Sequence, residues 1–280
     1  MAEITAAGIK RLRELTGAGM SDCKRALVES DGDVDRAIET LRLKGAKDVG
    51  KREARTASNG LVTALVDGVT RGVLLELNCE TDFVAKGERF QTLASQVVDL
   101  IAAGRPADLP ALLSQPIAGD PGKKVQDVLD EANAALGEKI EIRRFAAFDG
   151  AYVAAYLHKT SPDLPAQVGV LVALSGENVD LGRDLAQHIA AMAPKYLSRE
   201  QVPAETVDAE RRLAEQMARD EGKPEAAHSK IVQGRVTGYF KDFCLLEQPF
   251  VKDAKRTIQQ LLDVAGVSVT EFARFKVGQA

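Results

Sequence analysis

Tryptophan is absent from this chain, and aromatic residues make up only 5% of its 280 positions. Leu, Val, Ile and Ala must therefore fill its core, and an apolar content of 45% supplies enough of them for a packed interior. Cysteine is nearly absent too. Cys23, Cys79 and Cys244 stand far apart with no CxxC pair, which excludes a disulfide framework or zinc knuckle and reads as reduced, buried thiols. Of the three histidines, none lies at ligand spacing from another His, Cys or carboxylate. His188 and His228 read as structural, and no metal site is expected. No run approaches the roughly eighteen apolar residues of a membrane span, and Met1-Ala2-Glu3-Ile4 lacks the basic-then-apolar layout of a signal peptide. A soluble cytoplasmic protein is expected. The net charge of −4 provides no basic excess for counterion release, so direct nucleic-acid binding is not expected.

Motifs for catalysis are missing as well. Gly119-Asp120-Pro121-Gly122-Lys123-Lys124 is like a phosphate loop, but Ile117 stands where its first Gly is needed and Lys124 where Ser or Thr is needed. Asp31-Gly32-Asp33-Val34-Asp35 opens like a calcium loop and then fails at Arg36 and Arg42, so it reads as a helix cap. No GxSxG elbow or HExxH pair occurs. These absences point to a protein that is not an enzyme, carries no cofactor and works by binding another protein.

What is present is an α+β pattern. Thr5 caps a first helix with Ile9, Leu12 and Leu15 on one face. Gly17, Gly19 and Met20 form a turn, and Ser21 is placed to cap a second helix. Asp31-Gly32-Asp33 breaks that helix and caps a third, with Val34, Ala37, Ile38 and Leu41 at helical spacing, and charged residues 44–55 continue as a helical tail or linker. From Asn59 two β-rich runs joined around residues 67–71 predict a hairpin. A long helix over 83–103, a Pro- and Gly-containing connection over 105–122, a helix over 125–136 and a strand near 139–150 follow. The order recurs: strands at 151–158 and 167–175, helices at 181–192 and 254–264, and a last strand. The recurrence is read as topological rather than letter by letter. Residues 205–241, broken at Gly222-Lys223-Pro224, predict a projecting helical hairpin inserted in the second copy. The units expected are a three-helix module and linker at 1–55, a subdomain at 56–149, and a related one at 150–280 with its hairpin at about 204–242.

Two segments stand out. One runs from Leu12-Arg13-Glu14-Leu15-Thr16 through Met20-Ser21-Asp22-Cys23-Lys24 to Leu27. The other is Glu76-Leu77-Asn78-Cys79-Glu80-Thr81-Asp82-Phe83-Val84-Ala85-Lys86. On residue logic alone, Thr81-Asp82 after a strand is an ordinary helix cap and Phe83 ordinary core. Both segments, in this order and about fifty residues apart, resemble the signatures of elongation factor Ts, the guanine-nucleotide exchange factor for elongation factor Tu. Similarity continues near Ile140, Val170, His188, Gly222 and Gln248, and covers nearly the whole chain.

The resemblance implies a ubiquitin-associated-like N-terminal module, two related α/β subdomains and a protruding hairpin. It also implies a partner, elongation factor Tu in its GDP-bound and nucleotide-free states. Thr81, Asp82, Phe83 and Val84 become the element pushed into the partner, where it dislocates magnesium. Leu12, Met20 and Lys24 lie in the module that docks on the partner's nucleotide-binding domain; for Leu12, core and contact stay open alternatives. His158 matches a position that touches another partner domain, against an alternative as loop structure. Val251 and Lys252 match a further contact strip, although Lys252 departs from the apolar residue expected there. The hairpin offers a self-association contact. Some members carry a further C-terminal helical module after the last strand; this sequence stops at Ala280, and that module's contacts are expected to be missing or replaced. A plain adaptor that docks without exchange has no use for an Asp82–Phe83 wedge. RNA binding through 44–55 is opposed by Asp48 and Glu53 and by the lack of an aromatic there.

Overall fold

The structure, a computed structural model, describes residues 4–16, 18–52, 54–117 and 119–279, with side chains at all of these except 42 and 45–52. Gly17, Glu53 and Ala280, and the charges of residues 45–52, enter expectations above and lie outside the described residues.

Three helices open the chain: α1 (Ala6–Thr16), α2 (Met20–Glu29) and α3 (Val34–Arg52). The Thr5 hydroxyl oxygen accepts the Gly8 N–H at 3.2 Å, and the Asp33 carboxylate accepts the Arg36 N–H at 3.0 Å, so both expected caps form. Ser21 does not cap. Helix α2 starts two residues earlier than such a cap requires, because Gly19 takes the extended N-cap conformation and leaves Ser21 inside the first turn. The tail expected after α3 is helical as far as Arg52. Leu12, Cys23, Ala26, Leu27 and Ala37 make a small core of their own.

Strands β1 (Asn59–Asp67) and β2 (Arg71–Cys79) form the expected antiparallel hairpin. The single helix expected over 83–103 is two helices, α4 (Asp82–Lys86) and α5 (Glu88–Gly104). Gly87 separates them with extended backbone, ending one helix and capping the next. After α6 (Leu109–Ser114), the connection expected over 105–122 holds a tiny hairpin, β3 (Pro116–Ile117) with β4 (Asp120–Lys124). Helix α7 (Val125–Leu136) and strand β5 (Glu141–Asp149) complete this half.

The second half runs β6 (Tyr152–His158), β7 (Val168–Leu174), α8 (Val179–Met192), α9 (Ala204–Asp220) and α10 (Glu225–Phe243). It ends with β8 (Pro249–Phe250), β9 (Asp253–Thr257), α11 (Ile258–Ala265) and β10 (Val269–Lys276). The helix expected from Ala254 begins only at Ile258, since 253–257 pair with β8 and Thr257 caps α11 in a capping box with Gln260. Helices α9 and α10 are the expected antiparallel pair, turned at Gly222.

The recurrence is therefore closer than topology. Gln115-Pro116-Ile117 with Asp120 and Val125 stands in one half, and Gln248-Pro249-Phe250 with Asp253 and Ile258 in the other. In each, the backbone carbonyl of the Gln accepts the N–H of the residue that opens the next helix, at 3.0 Å. Each Gln side chain also donates to the carbonyl of a preceding helix, Leu100 at 3.1 Å and Asp242 at 2.7 Å.

Two antiparallel sheets, ordered β1-β2-β5 and β10-β7-β6, lie face to face. Their middle strands are buried on both sides, so β7 reads as an unbroken apolar run. Its period of two divides it between two cores. Val170, Val172 and Leu174 pack with α8 and α11, while Leu171 and Ala173 meet Val62 and Leu74 of the other sheet. Strand β2 divides likewise, with Val73, Leu75, Leu77 and Cys79 turned to the layer of α5 and α7. Each fully buried Leu of this kind contributes roughly 1.5–3 kcal/mol. The inter-sheet face of β2 also holds Glu76, fully buried and bonded by the Arg144 Nε at 2.7 Å. The Arg144 guanidinium in turn stacks 4.7 Å from the centre of the Phe275 ring, on the other sheet.

Candidate functional site

The end of β2 runs into α4 through Glu80 and Thr81, and every polar group of that corner has a partner. The Asn59 amide donates to the Glu80 carbonyl at 2.8 Å, and the Cys79 thiol donates to the Thr81 carbonyl at 3.2 Å. Burial, with the Glu138 charge as a lesser cause, pushes that thiol up to about 12, so it stays protonated and donating. Glu80 and Thr81 donate their backbone N–H groups to Glu138 Oε2 at 3.1 and 3.0 Å. The Thr81 hydroxyl donates to Glu138 Oε1 at 2.5 Å and accepts the Val84 N–H at 3.4 Å as the N-cap of α4.

On this held backbone the next side chains face different ways. Ala85 is buried, and Val84 packs against the core of the first sheet and its helices. Phe83 points out, 81% exposed, with the Lys86 ammonium 5.9 Å from its ring centre. Asp82 pairs with Lys86 across one helical turn at 2.8 Å, which holds its carboxyl below the ordinary carboxylate range. The same pairing raises Lys86, with a smaller contribution from Asp163 in the loop that follows β6. A large aromatic ring beside a carboxylate, both presented to solvent on a fixed backbone, is chemically a wedge with a charge at its root.

A family model described as elongation factor TS matches residues 80–279. Elongation factor Ts of Thermobifida fusca is 61% identical over 280 residues, covering all of both chains. That of Streptomyces griseus is 60% identical over 279 residues, 99% of this chain and 100% of its own. That of Mycobacterium tuberculosis is 57% identical over 280 residues, again all of both. The chain belongs to the elongation factor Ts family. It is thus a translation elongation protein of the group that exchanges nucleotide on elongation factor Tu.

The other positions carried over from the family lie on separate elements. Leu12 is fully buried in the three-helix core, where its side chain shapes the unit from inside. Met20 and Lys24 are exposed one turn apart on α2. His158 ends β6, exposed, with its Nδ1 3.2 Å from the Tyr156 hydroxyl and the two rings stacked. Val251 and Lys252 form the turn between β8 and β9; Val251 is half exposed, and the Lys252 ammonium pairs with Asp184 of α8 at 2.8 Å. Among the described residues no cluster of three or more His, Cys, Asp or Glu stands ready to hold a metal, and no helix is long and apolar enough to cross a membrane.

The turn carrying Val251 is fixed from beneath by His188, which is fully buried. Its Nδ1 accepts the Val251 N–H at 3.2 Å and its Nε2 lies 2.9 Å from Gln248 Oε1, an arrangement that suits neutral imidazole protonated at Nε2. Burial lowers its affinity for a proton, and the bond to Gln248 only partly offsets this. Below the unfolded-state value of about 6.5 the unfolded chain takes up a proton that the folded chain resists. This contribution to stability is therefore full above that pH and declines as pH falls towards the lower folded value. The urea midpoint is expected to fall between pH 7 and pH 5.5, and His188→Asn should flatten that step. Glu138, Asn59 and His188 were not legible as site residues, because each acts on residues at least 21 positions away in the chain.

Proposed function

We propose that this protein binds elongation factor Tu·GDP in the cytoplasm and speeds GDP release by inserting the Asp82–Phe83 corner near the magnesium and phosphate end of the nucleotide site. The observation that carries this reading is the exposure of Phe83 just after a corner, Glu80–Thr81, whose backbone groups are all bonded. A ring left in water on a flexible loop loses its ordering entropy on binding; here that ordering is already complete before contact.

Burying Phe83 between partner helices contributes about 1.5–3 kcal/mol, and each tenfold gain in release takes about 1.4 kcal/mol off the barrier. Asp82 supplies a charge for the polar network around magnesium, since its surface pair with Lys86 is screened by water and opens at little cost. Thr81 caps and Val84 anchors. No covalent step is involved and no catalytic residue is assigned. Linkage requires GDP to weaken binding of the protein by the factor that the protein weakens GDP, which releases it when nucleotide returns.

The remaining contacts are read as a three-helix docking unit of ubiquitin-associated type within residues 1–55, through Met20 and Lys24, and as His158 and the Val251–Lys252 turn touching elsewhere on the partner. Division into 1–55, 56–149 and 150–280 is supported by a core proper to each part, beside the one that the two sheets share. Exposed Leu213 and Met217, one turn apart on α9, support the α9–α10 pair as a self-association contact.

The test is release of a fluorescent GDP from the cognate elongation factor Tu under excess unlabelled nucleotide. Acceleration by at least about tenfold at saturating protein is expected, the lower end of the one to two decades that one buried wedge can supply. Tight binding with unchanged release leaves a docking adaptor in place of an exchange factor.

A further inference from the structure

The inference that follows rests on the exchange reading and names a residue which that reading does not use. Glu138 sits in the short loop after α7 and reaches a corner 57 residues away along the chain. One of its oxygens takes both backbone N–H groups of the corner, and the other takes the hydroxyl that caps α4. The exchange is mutual. Glu80 Oε1 accepts the Lys139 N–H at 2.6 Å, and Glu80 also receives Arg55 Nη1 at 3.2 Å. Two neighbouring loops thus hold each other by the carboxylates of Glu80 and Glu138 on backbone amides, bonds stronger than those between neutral groups.

The Glu138 loop is itself fixed. Gly137 closes α7 in the left-handed conformation, φ 77. Buried Asn133, in the last turn of α7, accepts the Ile140 N–H at 2.5 Å and donates to the Ile140 carbonyl at 3.2 Å. Glu138 is therefore referenced to a helix on one side and to the strand entering β5 on the other. Glu138 is itself only partly buried. What its bonds determine is the direction in which Asp82 and Phe83 leave the surface.

We propose that Glu138 is a positioning residue for nucleotide exchange: it sets the backbone at Glu80 and Thr81 so that Asp82 and Phe83 meet the partner without give. It acts through those residues and touches neither partner nor nucleotide. A wedge transmits force only as far as its mounting is stiff, and displacement of about 1 Å at a positioned group can cost about a hundredfold in rate.

The test measures GDP release from elongation factor Tu against concentration of this protein, for Glu138→Ala and Glu138→Gln, alone and combined with Phe83→Ala. Glu138→Ala is expected to lower the maximal release rate by about tenfold while the half-saturating concentration stays within about twofold. Glu138→Gln keeps one carbonyl oxygen for the amides and is expected to recover part of the loss; it carries the comparison alone if the alanine variant fails to fold. With Phe83 already truncated, only Asp82 is left to position, and removing Glu138 is expected to cost clearly less than in the wild type. A loss as large in that background as in the wild type overturns the inference and leaves the exchange reading standing. So does an effect confined to the half-saturating concentration. Absence of acceleration by the unaltered protein removes both.

Discussion

Phe83→Ala is expected to slow the GDP release promoted by this protein by between about tenfold and about a hundredfold, the rate equivalent of losing about 1.5–3 kcal/mol of buried ring in the transition state. Its thermal unfolding should hardly change. The ring is 81% exposed, so truncation removes no core contact and leaves no cavity. That contrast separates a contact residue from a structural one: Phe90, seven positions on and fully buried, would lose about 3–5 kcal/mol of stability on the same change. If Phe83→Ala releases GDP as fast as the unaltered protein, the wedge is wrong and the driving contacts lie elsewhere, first at α2 and at the Val251 turn.

The second large effect is structural. Gly60 lies in β1 with φ 143, a region that residues with a Cβ avoid. A Cβ added there would stand 2.1 Å from the Leu77 carbonyl oxygen and 2.7 Å from the Asn78 Cα. Both are backbone atoms of β2, the middle strand of its sheet, buried on both faces and unable to yield. The Gly60 carbonyl also accepts the Gln167 side chain at 2.8 Å, one of the bonds that tie the two sheets. Gly60→Ala is therefore expected to destabilise by about 3 kcal/mol or more, read as a drop in the urea midpoint at unchanged slope. It should weaken exchange as well, because Asn59 beside it bonds the Glu80 carbonyl of the wedge corner. A midpoint within error of the unaltered protein would show that β1 shifts to admit the methyl.

Much of this architecture can be read along the chain. The caps at Thr5 and Asp33, the turn between β1 and β2, the limits of α7 and the break at Gly222-Lys223-Pro224 all rest on residues within about four positions of one another. What escaped was either too short or too permissive. The hairpins β3–β4 and β8–β9 have strands of two and five residues, below the length at which alternation shows. A lone Gly is tolerated inside a helix, so Gly87 carries no stop signal in the sequence, and here it separates two. The repeated Gln-Pro of the two small hairpins is present in the letters, but the bond that each Gln makes to the start of the next helix is a tertiary fact. At the site, Thr81 to Val84 stood out through their resemblance to the family signature. Glu138 resembles any solvated carboxylate after a glycine.

By itself, then, the sequence determined the α+β class, the start and stop of most elements, the family and the segment proposed as the wedge. These depend on local hydrogen bonding, on spacing along one face, and on runs of letters. Only the tertiary structure decided that Leu12 is core, that Phe83 is outside, that β2 and β7 serve two cores each, and that Glu138 holds the corner. A strand covered on both faces shows no polar alternation to say which way it points. A bond between residues 57 apart leaves no trace in the neighbours of either.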